Sequence, residues 1–273
     1  MELIRKTKDN ISQISALVEK NVKLQLRYKF GLVTSFTISI VSILMPLIIM
    51  GNLFQTRPQI GNWNSTNFVI YQFLAYNIFL MRDMTSIFPQ QFRQEKYWKT
   101  LPALIIGPFN RLNLLLGIFL SHLIVISVPF ITFFLLGLFF YPISFITAMF
   151  LIILFFIVAL VLSGIGLILG IFAISNENIW RILNFLLYFV FWFSCITYPY
   201  EIFPQFIQNI INLNPLYYLF DILRLTWIQD NIIITILTYP FHFILLFLLA
   251  VLLPLIGIYI FNLIYKKYGI TGY

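Results

Sequence analysis

The chain has 273 residues, of which 61% are hydrophobic and only 10% charged, with a mean hydropathy of +0.95. A soluble globular protein carries about 25% charged residues, so this chain cannot clothe a water-facing surface and a soluble fold is excluded. The net charge is +8, but the Lys and Arg are not gathered on one soluble domain, which fits a membrane protein better than a basic nucleic-acid-binding domain.

The first 29 residues are polar and charged, without the apolar core and small-residue cleavage site of a signal peptide. Ile11, Ile14, Val18 and Val22 recur at helical spacing and predict a cytoplasmic amphipathic helix over 1–29. Such a helix lies on the membrane surface or forms a solvated arm before the first span. Residues 30–273 read as a transmembrane domain. A span needs about 20 mainly apolar residues, because in lipid every backbone polar group must be paired within its own segment. Six stretches qualify: 30–54, 67–88, 112–139, 144–174, 182–198 and 239–265. The third and fourth come from a run, 112–176, without a single Asp, Glu, Lys or Arg. Tyr141-Pro142-Ile143-Ser144 divides it, since Pro disfavours helix continuation and restrains its predecessor.

Two connections stand out. The loop at about 89–111 mixes both signs of charge with Phe92, Tyr97 and Trp98, and reads either as a protein-contact patch or as an interfacial aromatic belt. The segment 199–225 is apolar yet interrupted by Pro199, Pro204 and Pro215. It predicts two short helices broken at Asn214-Pro215, or a re-entrant outer hairpin, packed against the bundle because irregular backbone at that depth must be buried or face water. The predicted fold is therefore an all-α membrane protein: six transmembrane helices, an interfacial N-terminal helix and an outer hairpin before the last span.

Orientation follows from the basic residues. With six spans, fifteen Lys and Arg fall on the side of both termini, and only Arg57 and Arg224 on the other. The positive-inside rule then puts both termini in the cytoplasm. The default membrane is the plasma (inner) membrane, crossed several times.

The motifs that carry chemistry are mostly absent. No Gly-x-x-x-x-Gly-Lys-Ser/Thr loop exists to cradle a nucleotide. Cys195 is the only cysteine, which excludes an internal disulfide and a cysteine-based metal cluster. His122 and His242 fall in predicted spans, as packed neutral rings or as proton relays, and no His pairing has metal-ligand spacing. An ion-coupled secondary carrier or channel is the alternative reading, but no pair of intramembrane carboxylates supports it. A lipid-modifying membrane enzyme would need clustered catalytic residues, and none are evident. The 31 Phe, 15 Tyr and 5 Trp suit interfacial belts or a passage for greasy substrates.

The topology, together with Asn214-Pro215-Leu216-Tyr217-Tyr218-Leu219-Phe220-Asp221-Ile222-Leu223-Arg224, resembles the type-2 ABC exporter permeases, in their multidrug-like or polysaccharide/teichoic-acid-like branch. The stretch Tyr198 to Pro204 resembles the family's first outer helix. Glu95, Lys99-Thr100-Leu101-Pro102 and Gly107 to Arg111 resemble its inner loop, with Lys99 where the family commonly has Gly and Pro102 where it has Glu.

The resemblance implies a membrane-spanning subunit of an ATP-driven exporter. It would carry a drug, lipid or lipid-linked glycan out of the cytoplasm, and two copies would pair beneath which two cytoplasmic ATPase subunits dock. The chain would be no enzyme and bind no cofactor; ATP and Mg belong to the partner. Phe92, Arg93, Glu95, Tyr97, Trp98 and Thr100 would form the ATPase-coupling helix. Pro199, Glu201, Pro204, Asn214, Pro215, Asp221 and Arg224 would form an outer gate, with Asp221 and Arg224 three apart on one helical face and anchoring the hairpin.

Overall fold

A computed structural model describes residues 2–27, 29–99, 110–175 and 177–268. Thr100 and the rest of 100–109 lie outside the described residues, so that part of the inner loop has no structural account. The chain is helical almost throughout: α1 (Glu2–Arg27), α2 (Lys29–Thr56), α3 (Phe68–Arg82), α4 (Met84–Tyr97), α5 (Arg111–Phe140), α6 (Phe145–Ser175), α7 (Glu177–Trp192), a 3₁₀ turn (Tyr200–Ile202), α8 (Gln205–Asn212), α9 (Pro215–Gln229), α10 (Ile232–Thr238) and α11 (Pro240–Tyr268). A two-residue hairpin, β1 (Gln59–Ile60) with β2 (Trp63–Asn64), is added between α2 and α3. Its turn uses Gly61 at φ +58°, a backbone that glycine adopts without steric cost.

Among the described residues three helices are long and apolar enough to cross a membrane alone: Leu112–Phe140, Phe145–Ile174 and Pro240–Leu263. The α5 and α6 ends bracket Pro142, and Asn110 caps α5 by accepting from the Leu112 N–H. The second and fifth predicted spans take a different form. The second turns at Asp83, where α3 gives way to α4 with both neighbouring backbones still helical. The fifth is helical only as far as Trp192, and its predicted end, 193–198, is unwound.

Contacts at the helix ends define two poles. At one pole α1, α4, the start of α5 and the ends of α6 and α11 meet. Asn113 reaches Asn10, Lys96 reaches the Ile174 carbonyl, and Phe92 stacks on Phe261. At the other pole the β-hairpin, the 3₁₀ turn, α8, α9 and the start of α11 gather. Trp227 donates to the Tyr141 carbonyl there, and Tyr218 meets His242 edge-on.

α6 is the axis of the bundle. Leu151, Leu154, Phe155, Val158, Ala159, Val161 and Leu162 are all fully buried on it. Between lipid-facing helices the hydrophobic effect offers little attraction, so close packing of small residues does the work. A Cβ on Gly166 would stand 2.6 Å from the Met84 carbonyl oxygen, and one on Gly170 would stand 2.9 Å from Phe88 Cβ. The α4 backbone therefore lies directly on α6. Gly164 gives the same closeness to α11 at Pro254.

Candidate functional site

The residues singled out from the sequence separate to the two poles. At the α4 pole, Phe92 and Glu95 are buried, whereas Tyr97 is 85% and Trp98 49% exposed. Phe92 fills the joint between α4, Gly170 and Phe261. Glu95 accepts from Lys20 at 2.9 Å and from Gln91 at 2.8 Å, which rivets α4 to α1. Arg93 lies over the Trp180 ring at 4.5 Å and joins α4 to α7. The candidate coupling set is thus two exposed aromatics at the tip of a helix whose base is locked. Lys99, just past that tip, sits at φ 57°. This left-handed backbone costs about 1–2 kcal/mol for a residue with a Cβ, which explains why glycine suits the position.

α1 docks by a polar seam. Asn113 donates to Asn10 and Gln13, each at 2.8 Å, Asn21 donates to Ser121 at 3.4 Å, and Leu17 packs on Gly117. At 3.6 residues per turn this seam lies about 100° around the helix from the Ile11–Val18–Val22 stripe. Ile11 is 67% exposed and Ile14, Val18 and Val22 are half-buried, so the apolar stripe is open at its Ile11 end and partly covered beyond it.

At the opposite pole the residues converge on an unwound strand of backbone, 193–199, below the end of α7. Cys195 there is left-handed, at φ 52°. No helix partner exists for its carbonyls, and an unpaired buried carbonyl is costly. Side chains supply the donors instead. The Tyr71 hydroxyl shares its single proton between the carbonyls of Cys195 and of Tyr198, the latter at 2.8 Å. Arg224 Nη2 donates to the Ile196 carbonyl at 2.6 Å, and Gln72 Nε2 to that of Thr197 at 2.9 Å. Four consecutive carbonyls are held by three side chains, two from α3 and one from α9. The Arg224 guanidinium also stands 3.9 Å from the centre of the Tyr71 ring, a cation–π contact in a site excluded from solvent.

The other outer residues frame this clasp. Asn214 caps α9 through the Leu216 N–H and donates to the Val190 carbonyl and Ser194 hydroxyl at 2.6 and 2.9 Å. Pro215 begins α9, and Pro199 and Pro204 precede the 3₁₀ turn and α8. Asp221 and Arg224 do not serve each other: Asp221 faces His242 at 3.6 Å, while Arg224 turns inward to the backbone. Between α9, α11, the 3₁₀ turn and the β-hairpin lies a cavity of about 290 Å³, bordered by Glu201, Asp221, Arg224, His242 and several tyrosines. Burial pushes the Glu201 carboxyl above its ordinary value, and the Asp221 charge adds to the push. Among the described residues no cluster of His, Cys, Asp or Glu could hold a metal ion.

Tyr71, Gln72, Lys20, Gly166 and Gly170 were not singled out from the sequence. Gly166 and Gly170 stand four apart within an apolar run, the small-xxx-small spacing of close helix contacts, and this could have marked them. Nothing local marks Tyr71 or Gln72, whose partners lie more than 120 residues away.

A bundle of long apolar helices with small residues at its crossings and its polar groups gathered at the two poles is a polytopic helical membrane protein. The sequence profile of the ABC-2 type transporter family matches residues 12–227, and the chain belongs to that family. The match runs from the middle of α1 to the end of the α9 clasp. No curated protein matches the chain. The domain is the transmembrane, non-catalytic component of an ABC transporter, and the family works with an ABC ATPase subunit.

Proposed function

We propose that the chain is the permease subunit of an ATP-driven exporter that moves an amphipathic or hydrophobic substrate out of the cytoplasm. It crosses the plasma membrane six times with both termini inside. α2, α3 with α4, α5, α6, α7 and α11 are the crossings, and the α4 pole is cytoplasmic, as its basic residues require. Two copies pair, and two ATPase subunits bind beneath them.

The observation that carries this reading is the construction of α4. Its tip offers Tyr97 and Trp98 to a partner. Its base lies against the α6 backbone at Gly166 and is tied to α1 through Glu95 and Lys20. A load applied at the tip is therefore delivered to the central helix and to the interfacial helix together, without slack. The 193–199 clasp and the α8–α9 hairpin form the outer closure, where Asp221 and His242 link α9 to α11.

The test is co-purification with the cognate ABC ATPase and measurement of ATP turnover in nanodiscs. Tyr97→Ala with Trp98→Ala should reduce association and substrate-stimulated turnover by about tenfold or more, as expected for exposed aromatic anchors, and leave thermal stability unchanged. Unaltered association would overturn the coupling role. An ion gradient dissipated by the chain alone, with no ATP turnover in the complex, would overturn export.

A further inference from the structure

The cavity at the hairpin pole has a chemistry that the export reading does not use. Its border carries two carboxylates, Glu201 and Asp221, against one guanidinium, Arg224. With histidine neutral, the lining is net negative by one charge. Arg224 is already committed, to the Ile196 carbonyl and the Tyr71 ring, and it stays at the wall. His242 reaches Asp221 only at 3.6 Å. No lysine occurs between Lys99 and Lys266, so no ammonium of this pole's own segments can enter. Trp63, Tyr217, Tyr218 and Tyr239 supply aromatic surface on the same border. Carboxylates with rings, in a half-buried recess, is the combination that attracts an ammonium ion.

Size and coordination narrow the ligand. At about 290 Å³ the space is at the lower limit of small-molecule pockets, about 300 Å³, so it suits a compact cation and not a drug-sized one. A divalent metal lacks a ligand set among the described residues. A neutral polyol would leave the carboxylate charge uncompensated.

We propose that this cavity binds a small organic cation bearing an ammonium group, either a free amine or the choline-type headgroup of a lipid. The inference does not rest on ATP coupling or on the exported substrate. It can be tested on the full chain alone, in nanodiscs of phosphatidylglycerol titrated with choline by calorimetry. Saturable binding is expected, weakened about tenfold by Glu201→Gln or by Asp221→Asn. Glucose should give no signal. Both substitutions keep side-chain volume. Glu201→Gln should gain less thermal stability from choline than wild type does. Discs containing phosphatidylcholine separate the two sources: lost choline binding assigns the site to the lipid headgroup, and retained binding assigns it to the free cation. No saturable choline binding in phosphatidylglycerol discs, equal affinity in both variants, or glucose binding as well as choline would each overturn the proposal.

Discussion

The two poles of the bundle are held together by opposite means. At the α4 pole, regular helices touch through absent side chains: Gly166 and Gly170 bring α4 onto α6 along its length, with Lys96 on the Ile174 carbonyl and Glu95 on Lys20 as polar ties. At the hairpin pole the backbone is irregular, and Tyr71, Gln72 and Arg224 hold it by hydrogen bonds to 195–198. The first kind of joint resists bulk and tolerates changes in polarity. The second resists loss of a donor and tolerates little else.

The largest effect should come from the second kind. Arg224→Leu leaves the Ile196 carbonyl without its donor in a site where Arg224 is 1% exposed. The expected loss is about 2–3 kcal/mol, the upper part of the scale for a buried acceptor that loses a charged donor, read as a fall in thermal stability and loss of monodispersity in detergent. A small effect would mean that the clasp is dispensable and the contrast false. Tyr71→Phe removes only a hydroxyl, whose one proton is shared between two carbonyls, and about 1–3 kcal/mol should follow. Hydrogen exchange should rise across 193–199 in that variant and remain unchanged in α4.

The converse test is Gly166→Val. Its side chain would meet the Met84 and Thr85 carbonyls, and overpacking of this kind costs about 1–3 kcal/mol. The sharper readout is uncoupling: ATP turnover should fall while exchange at 193–199 stays constant.

A smaller effect is expected at Asp230, which lies on the hairpin pole but in the open. Burial disfavours its charge slightly, yet the Ser144 N–H at 2.9 Å and the Ser144 and Thr147 hydroxyls outweigh this and hold its carboxyl below the ordinary value. A depressed carboxylate stabilises the fold above its unfolded value, and that contribution vanishes as pH falls through the folded one. Asp230→Asn should cost about 0.5 kcal/mol or less at neutral pH, given its exposure, and flatten the acid limb of the stability profile. Smallest of all, Lys99→Gly should stabilise by a few tenths of a kcal/mol, relief of the left-handed strain being partly offset by the greater freedom of glycine in the unfolded chain.

What could be read from the sequence divides along the same line. Apolar length and Pro142 announce α5, α6 and α11, because helix formation in lipid depends on local composition. The stripe Ile11, Ile14, Val18 and Val22 announces an amphipathic α1, but not its docked face. That face is polar, and its partner Asn113 is 100 residues away. Asn214-Pro215 marks the start of α9 because capping is local. The spacing of Asp221 and Arg224 suggests a mutual pair, yet a carbonyl outcompetes the carboxylate, since only the unwinding of 193–199 presents one. His242 reads as a lone intramembrane histidine until the hairpin brings Asp221 to it. Phe92 and Glu95 read as members of the coupling helix, and only the packing of α4 against α6 and α1 shows them buried.

The clasp also fixes an order of events during synthesis. When α7 leaves the ribosome, the Ile196 carbonyl has no donor, and its arginine follows 28 residues later. At about 5–20 residues per second this segment waits a few seconds before it can settle into lipid. Until then it must be sheltered by the insertion machinery or by water at the membrane edge, and a truncation just before α9 would strand it there.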